Sequence, residues 1–180
     1  MCIRDRNKKE ALLKAAEDKV RLGGYDNFSF RELASEVGIK SASVHYHFPT
    51  KADLGAELAH QYTNSFLKAL GDPSSIKANG GNPIGTYTGL FHNALLTDNK
   101  MCLCGLLGAQ GDSLPDKVQV EVKRFFTQNL NWLKEAHTLN GEKNPEQAAI
   151  ITISLLEGAM MISKALNDHR YFLLATKEAI

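Results

Sequence analysis

Residues 29–51 read Ser29-Phe30-Arg31-Glu32-Leu33-Ala34-Ser35-Glu36-Val37-Gly38-Ile39-Lys40-Ser41-Ala42-Ser43-Val44-His45-Tyr46-His47-Phe48-Pro49-Thr50-Lys51. Ser29 with Glu32 three residues on is a capping box, so a helix begins at Phe30. Gly38 ends it, and a second short helix follows over Ser41–Phe48. Pro49 stops that one, because proline disfavours helical backbone in the residue before it. Thr50, with Asp53 three residues on, caps the next helix. Two short helices joined by a glycine-containing turn have helix-turn-helix spacing. Ala34 is small where the pair must cross, and Leu33, Val37, Ile39, Val44 and Phe48 are spaced to lock the crossing. Ser41, Ala42, Ser43, His45, Tyr46 and His47 are left facing outward. Hydroxyls, imidazoles and a phenol on one short helix can donate to phosphate or touch base edges and thymine methyls in a major groove. Lys51 puts a cation beside the free N–H groups at the start of the next helix, a natural phosphate anchor. A purely structural hairpin would not require this polar outer face.

Working outward, nearly everything reads as helix. A first helix covers about Lys8–Leu22, with a stripe of Ala11, Leu12, Ala15, Ala16, Val20 and Leu22, and Gly23-Gly24 ends it. The charged residues 1–6 do not blend into it. After Thr50 a long helix covers Lys51–Leu70. Residues 72–82 are polar and rich in breakers, a loop. Further helices are expected over Pro83–Leu96, Met101–Ala109, Asp116–Leu139, Pro145–Leu166 and Arg170–Ile180. No segment alternates with a period of two, so the fold class is all-α with about nine helices.

The charge balance is uneven. Residues 1–51 carry ten Lys/Arg against seven Asp/Glu, a net of +3, and residues 52–180 carry eleven against thirteen, a net of −2. The sign suits a front end that meets phosphate. The three cysteines, an odd number without a disulfide-like framework, point to a reducing compartment. The first residues are charged with no apolar run behind them and do not read as a signal peptide. The longest apolar stretch, Ala148–Ile162, is about 15 residues and falls short of a bilayer span. These features predict a cytoplasmic protein with no membrane partner.

The run from Phe30-Arg31-Glu32-Leu33-Ala34 through Val37-Gly38-Ile39 and Val44 to Tyr46-His47-Phe48, Lys51 and Leu54 resembles the DNA-binding signature of the TetR family. The upstream Gly23-Gly24-Tyr25-Asp26-Asn27-Phe28-Ser29 also fits it. The motif spans about residues 8–55; the remainder agrees in its all-helical character and length. His45 stands where the family usually has Tyr, a change that bears on base preference. The resemblance implies a three-helix DNA-binding domain over residues 1–50 and a ligand-binding and dimerisation domain over 51–180. It implies a homodimeric repressor on a palindromic operator in double-stranded DNA, released by a small-molecule or thiol-reactive inducer. The alternative is a dimeric helix-turn-helix protein without an inducer. The DNA contacts would be Arg31, Ser41, Ser43, His45, Tyr46, His47 and Lys51.

The helix over Pro145–Leu166 is apolar nearly all round and should be buried on more than one side. With the last helix it would pair with a second chain as a four-helix bundle. The aromatic and Met residues of the later helices are core, or a core that encloses a ligand. For the second reading the lining would be Phe66, Tyr87, Phe91, Cys104, Phe126, Asn129, Leu133, Glu157 and Met161, the few polar groups orienting a small molecule. Cys102 and Cys104 fit small buried apolar residues, a reactive sensor, or a metal or arsenic site that shows no second ligand pair. No positioned base marks a catalytic cysteine. His45 and His47, two apart on a helix, point to different sides. No metal, cofactor or enzymatic activity is expected.

Overall fold

The computed structural model describes residues 3–177. Its helices are α1 (Ile3–Gly23), α2 (Phe30–Val37), α3 (Ser41–His47), α4 (Lys51–Leu70), α5 (Pro73–Ala78), α6 (Pro83–His92), α7 (Leu103–Gln110), α8 (Asp116–Leu139), α9 (Pro145–Ala165) and α10 (Arg170–Thr176), with no strand among the described residues. All nine expected helices are present, and α5 is one more. It lies in the stretch read as a loop. The Asp72 carboxylate accepts from Ser75 N at 2.8 Å and Pro73 occupies the first turn, so six residues form a helix without an apolar stripe.

Two other boundaries differ. Helix α1 begins at Ile3, so residues 3–6 continue it rather than standing apart. They contain no Gly or Pro, and once a helix is nucleated each added residue costs little. Helix α6 ends at His92 and passes into a π-turn over Asn93–Thr97, where Lys100 N reaches Ala94 O at 2.8 Å. Asn99 then takes a positive φ of 53°, a conformation that asparagine tolerates. Cys2 and the last residues of the helix expected to reach Ile180 lie outside the described residues.

Contacts divide the chain into two compact units, residues 1–63 with 103–123 and residues 64–102 with 124–180. The first is centred on α1–α3, where Leu12, Ala16, Val20, Leu33, Val44 and Phe48 are buried with Leu54 of α4 and Leu107 of α7. In the second, α6, α8, α9 and α10 surround Tyr87, Phe91, Phe125, Leu133, Leu156 and Phe172, all essentially inaccessible.

Helix α9 buries one face, Ala149, Thr152, Ile153, Leu156, Ala159, Met160 and Ser163. The opposite face, Ile150, Ile151, Leu155, Met161 and Ile162, is exposed, so the expected burial on more than one side is not met within a single chain. Leu166 beyond it, and Tyr171, Leu173 and Leu174 of α10, extend the apolar surface. At 21 residues, with a mean hydropathy of 1.5 over its most apolar window, α9 has the length and composition to cross a bilayer, contrary to the shorter span read from the sequence. The shorter figure counted the apolar run Ala148–Ile162, whereas the helix extends from Pro145 to Ala165; one face is nonetheless packed as a core helix is.

Candidate nucleic-acid interface and ligand-binding cluster

The helix-turn-helix forms as its local chemistry dictates. Ser29 N and Oγ donate to the Glu32 carboxylate at 2.8 and 2.9 Å, and Glu32 N donates back to Ser29 Oγ at 3.3 Å. These bonds hold the Glu32 carboxyl below its usual range. Gly38 closes α2 at φ 71°, a left-handed conformation costly to a residue with a Cβ, and Ile39 N bonds Ala34 O at 2.9 Å. A second capping box starts α4. Thr50 N and Oγ1 donate to Asp53 Oδ2 at 3.1 and 2.7 Å, and Asp53 N donates to Thr50 Oγ1 at 3.1 Å. Lys117 Nζ, 2.6 Å from Asp53 Oδ1, adds to this, and its hydrogen bond with that of Thr50 lowers the Asp53 carboxyl.

Between these anchors α3 offers its polar face. Ser41 and His45 are exposed, Ser43 and His47 are half-buried, and Tyr46 is 76% exposed, an unusual position for a tyrosine in a folded unit. His45 is oriented by an edge contact with Phe30, centroids 4.9 Å apart, and by Pro49 O at 3.4 Å. Tyr46 meets the His47 ring at 5.2 Å. Arg31 is exposed in the first turn of α2.

Lys51 has an occupation that the sequence did not announce. Its Nζ lies 4.8 Å from the centre of the Tyr25 ring and 4.6 Å from that of Phe28, and 3.5 Å from Asp26 Oδ1. The ammonium is caged by the connection between α1 and α2. It therefore ties the start of α4 to the three-helix core. Burial, with Asp26 and Asp53 nearby, lifts the Tyr25 phenol to about 12, so that face of the cage stays neutral. Tyr25 and Phe28 stand close to Asp26 in the sequence, but nothing there names Lys51 as their partner. Gln110, at the end of α7, accepts from Tyr25 N at 2.8 Å and secures the same connection.

In the second unit Phe66, Tyr87, Phe91, Phe125 and Trp132 form one aromatic cluster with centroids 5.5 to 5.8 Å apart. Phe126 joins through Phe125 at 5.3 Å. Tyr87 donates to Asn129 Oδ1 at 2.9 Å, and Asn129 Nδ2 donates to Phe125 O at 2.8 Å, so both buried polar groups are bonded. Leu133 is buried in the same unit. Glu157 accepts a hydrogen bond from the Cys102 thiol, and burial raises its carboxyl to about 7. Of the expected lining residues, Met161 is not part of the cluster and Cys104 is assigned to the other unit. Met161 is on the exposed face of α9, since one position along a helix turns a side chain by about 100° from buried Met160. Cys104 is fully buried in the first unit. Trp132 and Cys102 belong to the cluster and its margin, and were not among the expected lining residues.

Residues 9–58 match the family described as bacterial regulatory proteins, tetR family. A TetR transcriptional regulator from Legionella pneumophila superposes with a TM-score of 0.86 at 31% identity, over 95% of this chain and 94% of that one. A TetR-family regulator from Agrobacterium tumefaciens gives 0.82 at 26% identity, over 97% and 96%. The reduced form of NemR from E. coli gives 0.79 at 18% identity, over 96% and 95%, and shares the fold. No curated protein matches the sequence.

Proposed function

Since the chain belongs to the TetR family of bacterial regulatory proteins and is a DNA-binding transcriptional regulator, we propose that it acts as a cytoplasmic homodimeric repressor whose operator is palindromic and whose release is triggered by a small molecule. In this reading residues 1–50 bind DNA and residues 51–180 bind ligand and dimerise. Helix α3 enters the major groove. Ser41, Ser43, His45, Tyr46 and His47 face DNA, and Arg31 and Lys51 approach the backbone. The observation that carries the proposal is the exposed polar face of α3, held between two capping boxes, with Tyr46 at its most exposed point. The apolar face of α9 and α10 supports the dimer, because contiguous exposed apolar surface of that kind marks an interface.

The aromatic cluster and Glu157 support a non-covalent inducer. A thiol-reactive inducer is the weaker version, because Cys102 and Cys104 are both buried, away from an attacking reagent. Helix α4 runs unbroken from Lys51 to Leu70 and is the proposed carrier of the signal. Linkage then requires operator DNA to weaken inducer binding by the same factor by which inducer weakens operator binding. The test of the DNA-binding reading is Tyr46→Ala, assayed by fluorescence anisotropy on the operator with helical content checked by circular dichroism. We expect a loss of roughly 1–3 kcal/mol in binding with the fold intact. An unchanged affinity would remove α3 from the interface.

A further inference from the structure

Glu157 is a feature of the second unit that its packing leaves unresolved. Its Oε1 is shut off from solvent and has no hydrogen-bond partner. The Cys102 thiol is a weak donor, and no Lys, Arg or His among the described residues pairs with the carboxylate. Three further buried polar atoms are also unpartnered: Thr88 Oγ1 on α6, Gln128 Oε1 on α8 and Ser163 Oγ on α9. Thr88 and Gln128 adjoin, in the chain, the bonded pair Tyr87 and Asn129. Buried polar groups are nearly always satisfied in a folded protein, and four exceptions on three helices of one unit need a reason. Two of the four, Glu157 Oε1 and Gln128 Oε1, are acceptors when the carboxyl is ionised, so what is missing is N–H or positive charge. Glu157 acts electrostatically on Tyr87, a member of the aromatic cluster, and aromatic rings interact more favourably with a cation than with an anion.

Resting on the inducible-regulator reading above, we propose that Glu157 is the charge-recognition residue of a site in the second unit for an organic monocation, a protonated amine on an aromatic or aliphatic body. The ammonium would donate to Glu157 Oε1, and the apolar body would lie against Tyr87, Phe91 and Phe66. Burial alone lifts the free carboxyl to about 7, and an arriving cation would restore its charge. A carboxylate ligand would instead meet a like charge and is excluded.

The test uses the full-length protein and matched probes: 2-phenylethylamine, its neutral counterpart 2-phenylethanol and the anion 3-phenylpropanoate. Binding is read by calorimetry and by the fluorescence of Trp132, the only tryptophan, whose ring lies 5.5 Å from Tyr87. We expect the amine to bind at least about tenfold more tightly than the alcohol, and the anion not at all. Glu157→Gln should bring the amine down to the level of the alcohol and leave the alcohol unchanged. Glu157→Asp, which keeps the charge, should retain part of the preference, and this separates lost recognition from a damaged fold. Equal affinity for amine and alcohol, a preference that survives Glu157→Gln, or no binding of the amine would overturn the proposal. Operator release is measured in parallel. Glu157-dependent amine binding without release would leave the site standing and sink the induction reading. Release by the alcohol with no amine preference would do the opposite.

Discussion

Replacing Lys51 by alanine separates two roles that this residue can play. The structure gives its ammonium two ring faces, Tyr25 and Phe28, at 4.8 and 4.6 Å, and one ion pair to Asp26 at 3.5 Å. Each cation–π contact is worth about 0.5–1 kcal/mol where partly exposed. Asp26 is almost fully exposed, so its ion pair adds at most a few tenths of a kcal/mol. The cage then contributes about 1–2 kcal/mol, which for a chain of this length lowers Tm by roughly 2–8 °C. A phosphate contact leaves another mark: losing one reduces the slope of log affinity against log salt by about 0.9. Thermal unfolding and a salt series of operator titrations are therefore run on the same variant. We expect Lys51→Ala to lower Tm and to flatten the salt slope, and Lys51→Arg to preserve both in large part. An unchanged Tm refutes the cage argument. A lowered Tm with an unchanged slope confines Lys51 to the cage and leaves phosphate binding to other cations.

Gly55 lies where α4 approaches Tyr25 and Val118. A Cβ there would come within 2.6 Å of Tyr25 Cε2 and 3.1 Å of Val118 Cγ2, so Gly55→Ala should destabilise by about 1–2 kcal/mol, overpacking outweighing the roughly 1 kcal/mol gain in helix propensity; a rise in Tm would contradict it. Ile151→Asp combined with Leu174→Asp should convert a dimer to a monomer in sedimentation without loss of helical content, and a persistent dimer would move the interface off α9 and α10. Glu157 has a folded-state pKa raised above its unfolded value, so the folded state holds the proton more tightly and stability falls as pH rises from the unfolded pKa near 4.5 through about 7. Glu157→Gln should therefore be more stable than the parent at pH 8, by an amount on the order of 3 kcal/mol at most, with the difference vanishing near pH 4; equal pH profiles of Tm would show that the carboxyl is not desolvated.

The all-helical class and the helix-turn-helix were legible because they rest on contacts between residues close in the chain. Ser29 with Glu32, Gly38, Pro49, and Thr50 with Asp53 each act within four residues, and the structure returns the caps, the turn and the helix starts at those positions. The outward face of α3 follows from helical periodicity alone, which is why Tyr46 could be placed at the surface. Helix α5 escaped because six residues bury too little apolar surface to leave a stripe, although Asp72 and Pro73 spell its cap. The remaining features depend on residues far apart in sequence that the tertiary structure alone brings together. The Lys51 cage needs Tyr25 and Phe28 folded back over α4, and periodicity carries no information about that pairing. Met160 and Met161 are equivalent as letters; packing buries the first and exposes the second. Glu157 is one acidic residue in an apolar helix until α6 and the segment before α7 close around its carboxyl, removing water and supplying only the Cys102 thiol in return. Sequence determined the local backbone and the polar face of α3, because those are settled by neighbours along the chain. Which side chains are dry, caged or left without a partner was decided by tertiary packing, because desolvation is a property of everything that surrounds a group.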